Sequence, residues 1–96
     1  PRPDAVVAAS DQLAFGLLRA LHEAGVAVPA DVAVVSFDGS LASEFAWPPL
    51  TCARQPRAAM GRAVLDLIED PGLAPGHHEF PLDLIVRASC GCPPAH

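Results

Sequence analysis

Three short apolar runs, each closed by polar residues, set the pattern of this chain. Residues 32–37 read Val-Ala-Val-Val-Ser-Phe, a nearly continuous run that is typical of a strand buried on both faces. Residues 5–9 and 50–54 predict two further strands, the first of them also buried. Ser10-Asp11, Asp38 and Arg54-Gln55 stand where these strands end. The pattern therefore predicts three strands that each finish in polar side chains.

Helical spacing of apolar residues fills the intervals between the strands. Ser10 is a suitable N-cap for a helix over residues 11–24, and Gly25 is a suitable residue to end it. A second helix is predicted from Pro56, which suits a first turn, to about Glu69. The expected buried faces are Ala14, Leu17, Leu18 and Leu21 in the first helix, and Met60, Val64, Leu67 and Ile68 in the second.

The remaining segments carry turn chemistry and one more strand region. Residues 39–46 predict a loop with a helical turn, residues 70–76 a turn, and residues 77–89 one or two strand segments, with Leu82, Leu84 and Val86 on one face. Trp47 before two prolines is a rigid apolar feature, either a hydrophobic plug or a contact for another subunit. Phe15, beside Gly16 and near Arg19, indicates either a protein partner or a partly covered helix edge.

A strand, a helix and a strand within this length form a βαβ unit, whose strands should be parallel. Parallel neighbours would bring Ser10, Asp38 and Gln55 to one edge of the sheet, where open α/β sheets hold ligands. Hydroxyl, carboxylate and amide groups together suit a polyhydroxylated ligand such as a sugar or a nucleoside. Local alternatives stay open: Ser10 or Gln55 as a helix cap, and Asp38 as the start of a turn.

Composition narrows the classes of partner. The chain has 96 residues, a formal charge of −5 and 51% hydrophobic residues, which suggests surfaces covered by something outside it. Its six basic residues are scattered, so they make no footprint for nucleic acid, and no apolar run is long enough for a bilayer. Three cysteines without metal-like spacing, Cys52, Cys90 and Cys92, are expected to be incidental reduced thiols of a cytosolic protein. The start without Met suggests a fragment.

Catalysis has little support in the sequence, and we expect no enzyme activity, cofactor or metal. Asp11 and Asp38 could form an acid/base pair, but no nucleophile and base accompany them. His77 and His78 are adjacent, so in a strand they would point apart rather than share a metal. Ser10-Asp11-Gln12 stands where a dinucleotide fold would have its glycine-rich phosphate loop.

Three stretches taken together resemble a known family. They are residues 3–16 (Pro-Asp-Ala-Val-Val-Ala-Ala-Ser-Asp-Gln-Leu-Ala-Phe-Gly), residues 28–38 (Val-Pro-Ala-Asp-Val-Ala-Val-Val-Ser-Phe-Asp), and residues 48–56 (Pro-Pro-Leu-Thr-Cys-Ala-Arg-Gln-Pro) followed by Met60-Gly61. In this order they resemble the C-terminal part of the effector-binding module of LacI/GalR transcription regulators. Residues 84–90 look like the closing strand of that module.

The resemblance implies an α/β fold, a parallel-sheet, Rossmann-like subdomain of a type I periplasmic-binding-protein-like fold. Residues 1–90 would be the C-terminal subdomain of the effector-binding domain, and residues 91–96 a flexible tail. The DNA-binding helix-turn-helix domain would lie outside this chain. The implied protein is a cytoplasmic bacterial regulator, a homodimer that touches operator DNA only through that other domain and makes no membrane contact.

The same resemblance implies roles for individual residues. Asp38, Ser10 and Gln55 would line the cleft for a small polar effector, most often a sugar. The dimer would pair through Gln12, Phe15, Arg19, Ala46 and Trp47. Ser10 stands where the family often has Asn, and Gly39 replaces a frequent second acidic residue, so the effector can differ. A periplasmic sugar-binding protein of an ABC transporter, exported and monomeric, is the alternative with the same fold.

Overall fold

The structure is a computed structural model that describes residues 2–70, 72 and 76–93. Along the chain it forms β1 (Ala5–Ala8), α1 (Asp11–Glu23), β2 (Ala33–Asp38), α2 (Leu41–Glu44), β3 (Thr51–Arg54), α3 (Arg57–Glu69) and β4 (Asp83–Ile85). The predicted order of strands and helices is confirmed, including the helical turn in residues 39–46. The turn predicted over residues 70–76 and the end of the predicted tail fall partly outside the described residues.

Four strands form one sheet in the order β1-β2-β3-β4. The first three are parallel, with Ala8 opposite Ser36 and Asp38 opposite Arg54, while β4 runs antiparallel to β3. The carboxyl ends of β1, β2 and β3 therefore share one edge of the sheet. This arrangement confirms the predicted α/β class and the predicted convergence of the polar strand ends.

The core lies between α1 and one face of the sheet. Ala14 is fully buried and Leu18 nearly so, and they pack with Val32, Val34 and Leu50. Leu17, Leu21 and Phe15 are half-buried against this cluster. The predicted sheet-facing side of the first helix is confirmed, and Gly25 follows the helix with a positive φ of 73°, as expected of a residue that ends one.

The other face of the sheet is less covered than the sequence predicts. Val34 and Ser36 are buried, but Phe37 is exposed and Val7 of β1 is 65% exposed. The prediction that β1 is a buried strand and that β2 is buried on both faces is therefore wrong for the described chain. The physical reason is that α1 covers one face, and no described element covers the other to the same degree.

The second long helix shows the same difference. A helix over residues 57–69 is confirmed, but none of its residues is buried. Ile68 is 72% exposed, Val64 and Met60 are also exposed, and Leu67 is only half-buried. The predicted buried face of this helix is wrong here because no described element covers it.

Of two smaller expectations, one is corrected and one is confirmed. Trp47 is 90% exposed, so it is not a hydrophobic plug in this chain. Residues 77–89 contribute one short strand, β4, as the sequence predicts; Leu82, before this strand, and Leu84, within it, are both exposed. Residues 91–93 have no regular structure and are exposed.

Residues 87–90, here called the closing strap, cross the amino ends of β2 and β3. Ser89 accepts from the Val34 N–H at 2.9 Å through its carbonyl and donates its hydroxyl to the Val34 carbonyl. The Thr51 N–H donates to Ser89 Oγ at 2.8 Å, and the Arg87 N–H donates to Thr51 Oγ1 at 2.8 Å. Buried polar groups at this end of the sheet are thereby paired.

In the part of the chain that the structure describes, no helix combines the length and the apolar character that a membrane crossing requires.

Candidate functional site

Asp38 closes β2 with its carboxylate held from two sides. Gln55 Nε2 donates to Asp38 Oδ1 at 2.9 Å, and the Asp11 N–H donates to Oδ2 at 3.3 Å. The backbone of Asp38 has a φ of 111°, a region that residues with a side chain rarely adopt. Such outliers persist where the surrounding structure over-determines them, and they cluster at functional sites.

Asp11, the first residue of α1, is the buried carboxylate beside Asp38. It is 2% exposed and accepts from Ser36 Oγ and from the Ser40 N–H, both at 2.6 Å, and from Ser40 Oγ. Burial raises the pKa of Asp11, but the hydrogen bonds from Ser36, Ser40 and the Gly39 backbone outweigh it and hold the pKa below its ordinary value. Asp11 thus joins the start of α1 to β2 and to the loop that follows it.

Ser10 is both a helix cap and a cleft residue. Its backbone is extended, and Ser10 Oγ accepts from the Leu13 N–H at 3.2 Å. The same half-buried side chain lies at a cleft of about 560 Å³. Residues along this cleft are Ser10, Asp11, Gln12, Phe15, Asp38, Ser40, Ala42 and Arg57. Ser10 therefore caps α1, and it also lies along the cleft, where its role as a ligand-binding residue stays a prediction.

Gln55 does not cap the helix that follows it. Pro56 holds the N-cap position of α3 without any side-chain cap, whereas the Gln55 amide reaches across to Asp38. The Gln55 N–H also donates to the Asp38 carbonyl at 3.3 Å. The structure therefore brings Asp38 and Gln55 into direct contact, with Ser10 along the same cleft.

Arg57 and Ser40 were not singled out in the sequence analysis. Arg57 Nη2 donates to the Asp38 carbonyl at 2.8 Å, and Arg57 also lines the cleft. An arginine directly after the Gln-Pro pair is a weak signal, because its side chain could point anywhere on the first helical turn. Ser36 inside an apolar strand was a better signal, because a buried hydroxyl requires a partner, and that partner is Asp11.

The predicted interface residues gather mostly at a second, shallower place. A groove of about 310 Å³ is lined by Phe15, Leu18, Arg19, His22, Ala46 and Trp47. Arg19 makes an exposed ion pair with Glu23 at 2.7 Å. Gln12 is exposed but lines the cleft rather than this groove. Phe15 lines both, so one aromatic side chain lies between the cleft and the groove.

The acid/base pair considered from the sequence finds no support in this geometry. Both carboxylate oxygens of Asp11 accept hydrogen bonds inside the protein, from Ser36 and Ser40. Asp38 is held by an amide and a backbone N–H, neither of which can take up a proton near neutral pH. Among the described residues, the hydrogen bonds of the two carboxylates thus come from hydroxyl, amide and backbone N–H donors, and none of them joins one carboxylate to the other.

Comparison with known proteins decides the family. Residues 1–90 match the family model described as a periplasmic binding protein-like domain. The chain is 46% identical over 93 residues to the transcriptional repressor MelR of Bacillus subtilis, and 40% identical over 97 residues to the lactose operon repressor of Rhizobium radiobacter. The chain belongs to the LacI/GalR family of transcription regulators.

Coverage and structure agree with this family assignment. The MelR match covers 94% of this chain but 27% of MelR, and the lactose repressor match covers 98% of this chain and 86% of that protein. A LacI-family regulator from Lactobacillus casei with bound sucrose superimposes with a TM-score of 0.78 and 38% identity. That superposition covers 93% of this chain and 34% of the L. casei protein. The chain thus spans about a quarter to a third of MelR and of that regulator.

Proposed function

We propose that this chain is the ligand-sensing and dimerisation part of a bacterial LacI-type transcription regulator, and that it binds a small polar effector, a sugar, in the cleft at Asp38. The observation that carries the proposal is the Asp38 carboxylate, fixed at the end of β2 by Gln55 and the Asp11 N–H. A carboxylate oriented in this way can accept from adjacent hydroxyls of a sugar, and such charge-assisted hydrogen bonds are the strong ones. The sucrose bound by the L. casei relative supports this ligand class.

Each predicted cleft residue has a chemical role in this proposal. Asp38 accepts from a pair of hydroxyls, while Ser10 and Gln55 add a hydroxyl and an amide that both donate and accept. Arg57, held against the Asp38 carbonyl, contributes further donors at the same edge. Phe15 offers an apolar surface for the less polar side of a sugar ring.

A regulator also needs a route from the effector to its partner subunit. We infer that the groove at Phe15, Arg19, Ala46 and Trp47 pairs with the same groove of a second copy, with Gln12 at its margin. A tryptophan exposed to 90% beside an arginine is the composition expected of an interface core. Because Phe15 lines both places, an effector that moves it would bias the interface.

The wider assignment follows from the family. A regulator of this kind acts in the cytoplasm, carries no cofactor or catalytic activity, and contacts operator DNA through a domain outside this chain. Residues 1–90 would be one subdomain of its effector-binding domain. The relatives favour this function over that of an ABC-transporter binding protein, because MelR and the R. radiobacter lactose operon repressor are both named as repressors.

The effector proposal is tested by calorimetry on the complete protein against a panel of mono- and disaccharides and nucleosides. We expect one sugar class to bind, and Asp38→Asn to weaken the best ligand by about 1.5–3 kcal/mol, the value of a hydrogen bond to a charged group. Asp66→Asn, which changes an exposed carboxylate of α3, is the matched control. Equal affinity of the Asp38→Asn variant and the parent would contradict the proposal.

The interface proposal is tested by sedimentation of the complete protein. Trp47→Glu places a charge in the groove without disturbing the core, because this side chain is exposed, and we expect it to shift a dimer towards monomer. Leu13→Glu, on an exposed position of α1 outside the groove, should leave the dimer intact. A Trp47→Glu variant that sediments as the parent dimer would overturn the assignment.

A further inference from the structure

Two cysteines lie in one tight turn at the end of the closing strap, Cys90 as its last residue and Cys92 two residues further on. Cys90 is half-buried and Cys92 is exposed, and both are free thiols in the structure. Gly91 lies between them with a positive φ of 72°, a conformation that suits glycine and turns the chain back on itself. The Cys92 N–H thereby donates to Cys90 Sγ at 3.3 Å, and Cys92 Sγ lies 3.9 Å from the Cys90 carbonyl oxygen.

Hydrogen-bond donors converge on the Cys90 sulfur. Thr51 Oγ1 already accepts from the Arg87 N–H, so its single proton is directed to Cys90 Sγ, at 3.1 Å. The Cys92 N–H supplies the second donor. Burial raises the pKa of the Cys90 thiol, but the hydrogen bonds from Thr51 and Cys92 outweigh it and lower the pKa. Two donors aimed at one sulfur stabilise the thiolate, the form that reacts.

The thiols of Cys90 and Cys92 differ in the direction of their pKa shifts. The pKa of the Cys92 thiol is raised by its hydrogen bond to Cys90 and by the nearby Cys90 charge, whereas the pKa of Cys90 is lowered, so Cys90 is the more acidic thiol of the pair. The third cysteine, Cys52, is fully buried and its sulfur lies near Ser43 Oγ and Arg87 Nη1, at 3.9 and 3.7 Å. Cys52 is therefore an internal reference thiol that should not react.

We propose that Cys90 and Cys92 form a redox-active dithiol that closes to an intramolecular disulfide by exchange with a low-molecular-weight disulfide such as oxidised glutathione. The Cys90 thiolate attacks one sulfur of the oxidant, the S–S bond of the oxidant breaks, and one glutathione leaves as a thiolate. Cys92, having lost its proton to solvent, then attacks Cys90 Sγ and releases the second glutathione. In total, two protein thiols are oxidised to one disulfide, and oxidised glutathione is reduced to two glutathione thiols.

The site is suited to a transient rather than a permanent bond. In reducing compartments, protein disulfides are usually transient and redox-sensing. The reactive sulfur here lies on the strap that joins the amino ends of β2 and β3, through Ser89 and Thr51. The Thr51 hydroxyl donates to Cys90 Sγ, and a disulfide sulfur is a weaker acceptor than a thiolate. Disulfide formation therefore weakens this hydrogen bond and couples the redox state to the packing of the closing strap.

The complete protein is incubated with defined ratios of oxidised to reduced glutathione, quenched with acid, alkylated after denaturation and mapped by mass spectrometry. We expect loss of two hydrogen atoms in the peptide that contains Cys90 and Cys92, with Cys52 fully alkylated. In Cys92→Ser the reaction should stop at one glutathionyl group on Cys90. In Cys90→Ser, glutathionylation of Cys92 should be several-fold slower, because the stabilised thiolate is absent.

The role of Thr51 is tested separately by the rate of iodoacetamide alkylation of Cys90 in the folded protein. Thr51→Val should slow this rate about threefold or more at neutral pH, and Thr51→Ser, which keeps the hydroxyl, should retain it. If Thr51→Val does not fold, the Cys92→Ser trap alone decides the proposal. No disulfide between Cys90 and Cys92, a first attack by Cys92, or equal alkylation of Cys90 and Cys52 would overturn it.

Discussion

The two long helices, α1 and α3, have the same length of 13 residues and opposite surroundings. α1 buries Asp11, Ala14 and Leu18, whereas α3 buries none of its residues. They also begin differently: Ser10 caps α1 by a side-chain hydrogen bond, and Pro56 precedes α3 without one. Most helical stability in proteins comes from packing an apolar face, so α1 is held by this chain and α3 requires a partner surface that the described residues do not supply.

The largest expected effect tests packing directly. Leu18→Ala, at a buried position of α1, should lower the free energy of unfolding by about 2–5 kcal/mol, because it removes apolar contacts and leaves a cavity. Ile68→Ala, at an exposed position of α3, should change it by less than about 0.5 kcal/mol. Urea unfolding of the 96-residue chain, followed by circular dichroism, measures both. Comparable losses would mean that α3 is packed in solution.

A smaller effect tests the buried carboxylate that anchors the start of α1. Asp11→Asn should lower the free energy of unfolding at pH 7 by roughly 1.5–3 kcal/mol, because it weakens charge-assisted hydrogen bonds from Ser36 and Ser40. The folded pKa of Asp11 lies below the unfolded value of about 3.9, so its stabilisation is complete above that value and is lost as the pH falls through the folded pKa.

The difference between the Asp11→Asn variant and the parent protein should therefore shrink on acidification below about pH 4. Thermal unfolding at a series of pH values measures it. Asp66→Asn, which removes an exposed carboxylate of α3, is the matched control and should cost less than about 0.5 kcal/mol at pH 7. A difference for Asp11→Asn that is constant with pH would show that its hydrogen bonds do not depend on the charge.

The smallest effect concerns the helix cap. Ser10→Ala should cost about 1 kcal/mol, because the Leu13 N–H loses its acceptor, whereas Ser10→Gly should cost only a few tenths. Loss of amide protection should be greatest in the first turn of α1, which hydrogen exchange resolves residue by residue. An unchanged first turn in Ser10→Ala would assign Ser10 to the cleft alone.

The contrast between α1 and α3 also shows which features the sequence predicts and which it does not. Apolar spacing correctly locates both helices, and the parallel order of β1, β2 and β3 brings Ser10, Asp38 and Gln55 to one edge as expected. Spacing records which side of a helix is apolar, but not which surface covers it, so the buried face expected of α3 is absent.

The local pattern of apolar and polar residues likewise does not predict tertiary hydrogen bonds. Asp11 is indistinguishable in sequence from an ordinary acidic residue in a first helical turn, yet its partners lie 25 and 29 positions away. The closing strap is a similar case, since Ser89 pairs with Val34 at a separation of 55 residues. Such hydrogen bonds depend on how the strands are ordered in space. A short stretch of sequence carries no information about that order.

Gly39 limits which residues can follow Asp38 in this fold. Its φ is 70°, and a Cβ placed there would lie 2.7 Å from Arg54 Cβ and 2.8 Å from Arg54 Cα. Any residue with a side chain at this position would therefore require the backbone of β3 at Arg54 to move, and it would also have to adopt a positive φ. Gly39 thus lets the chain that leaves Asp38 pass directly against β3, beside the strand end where Gln55 contacts the Asp38 carboxylate.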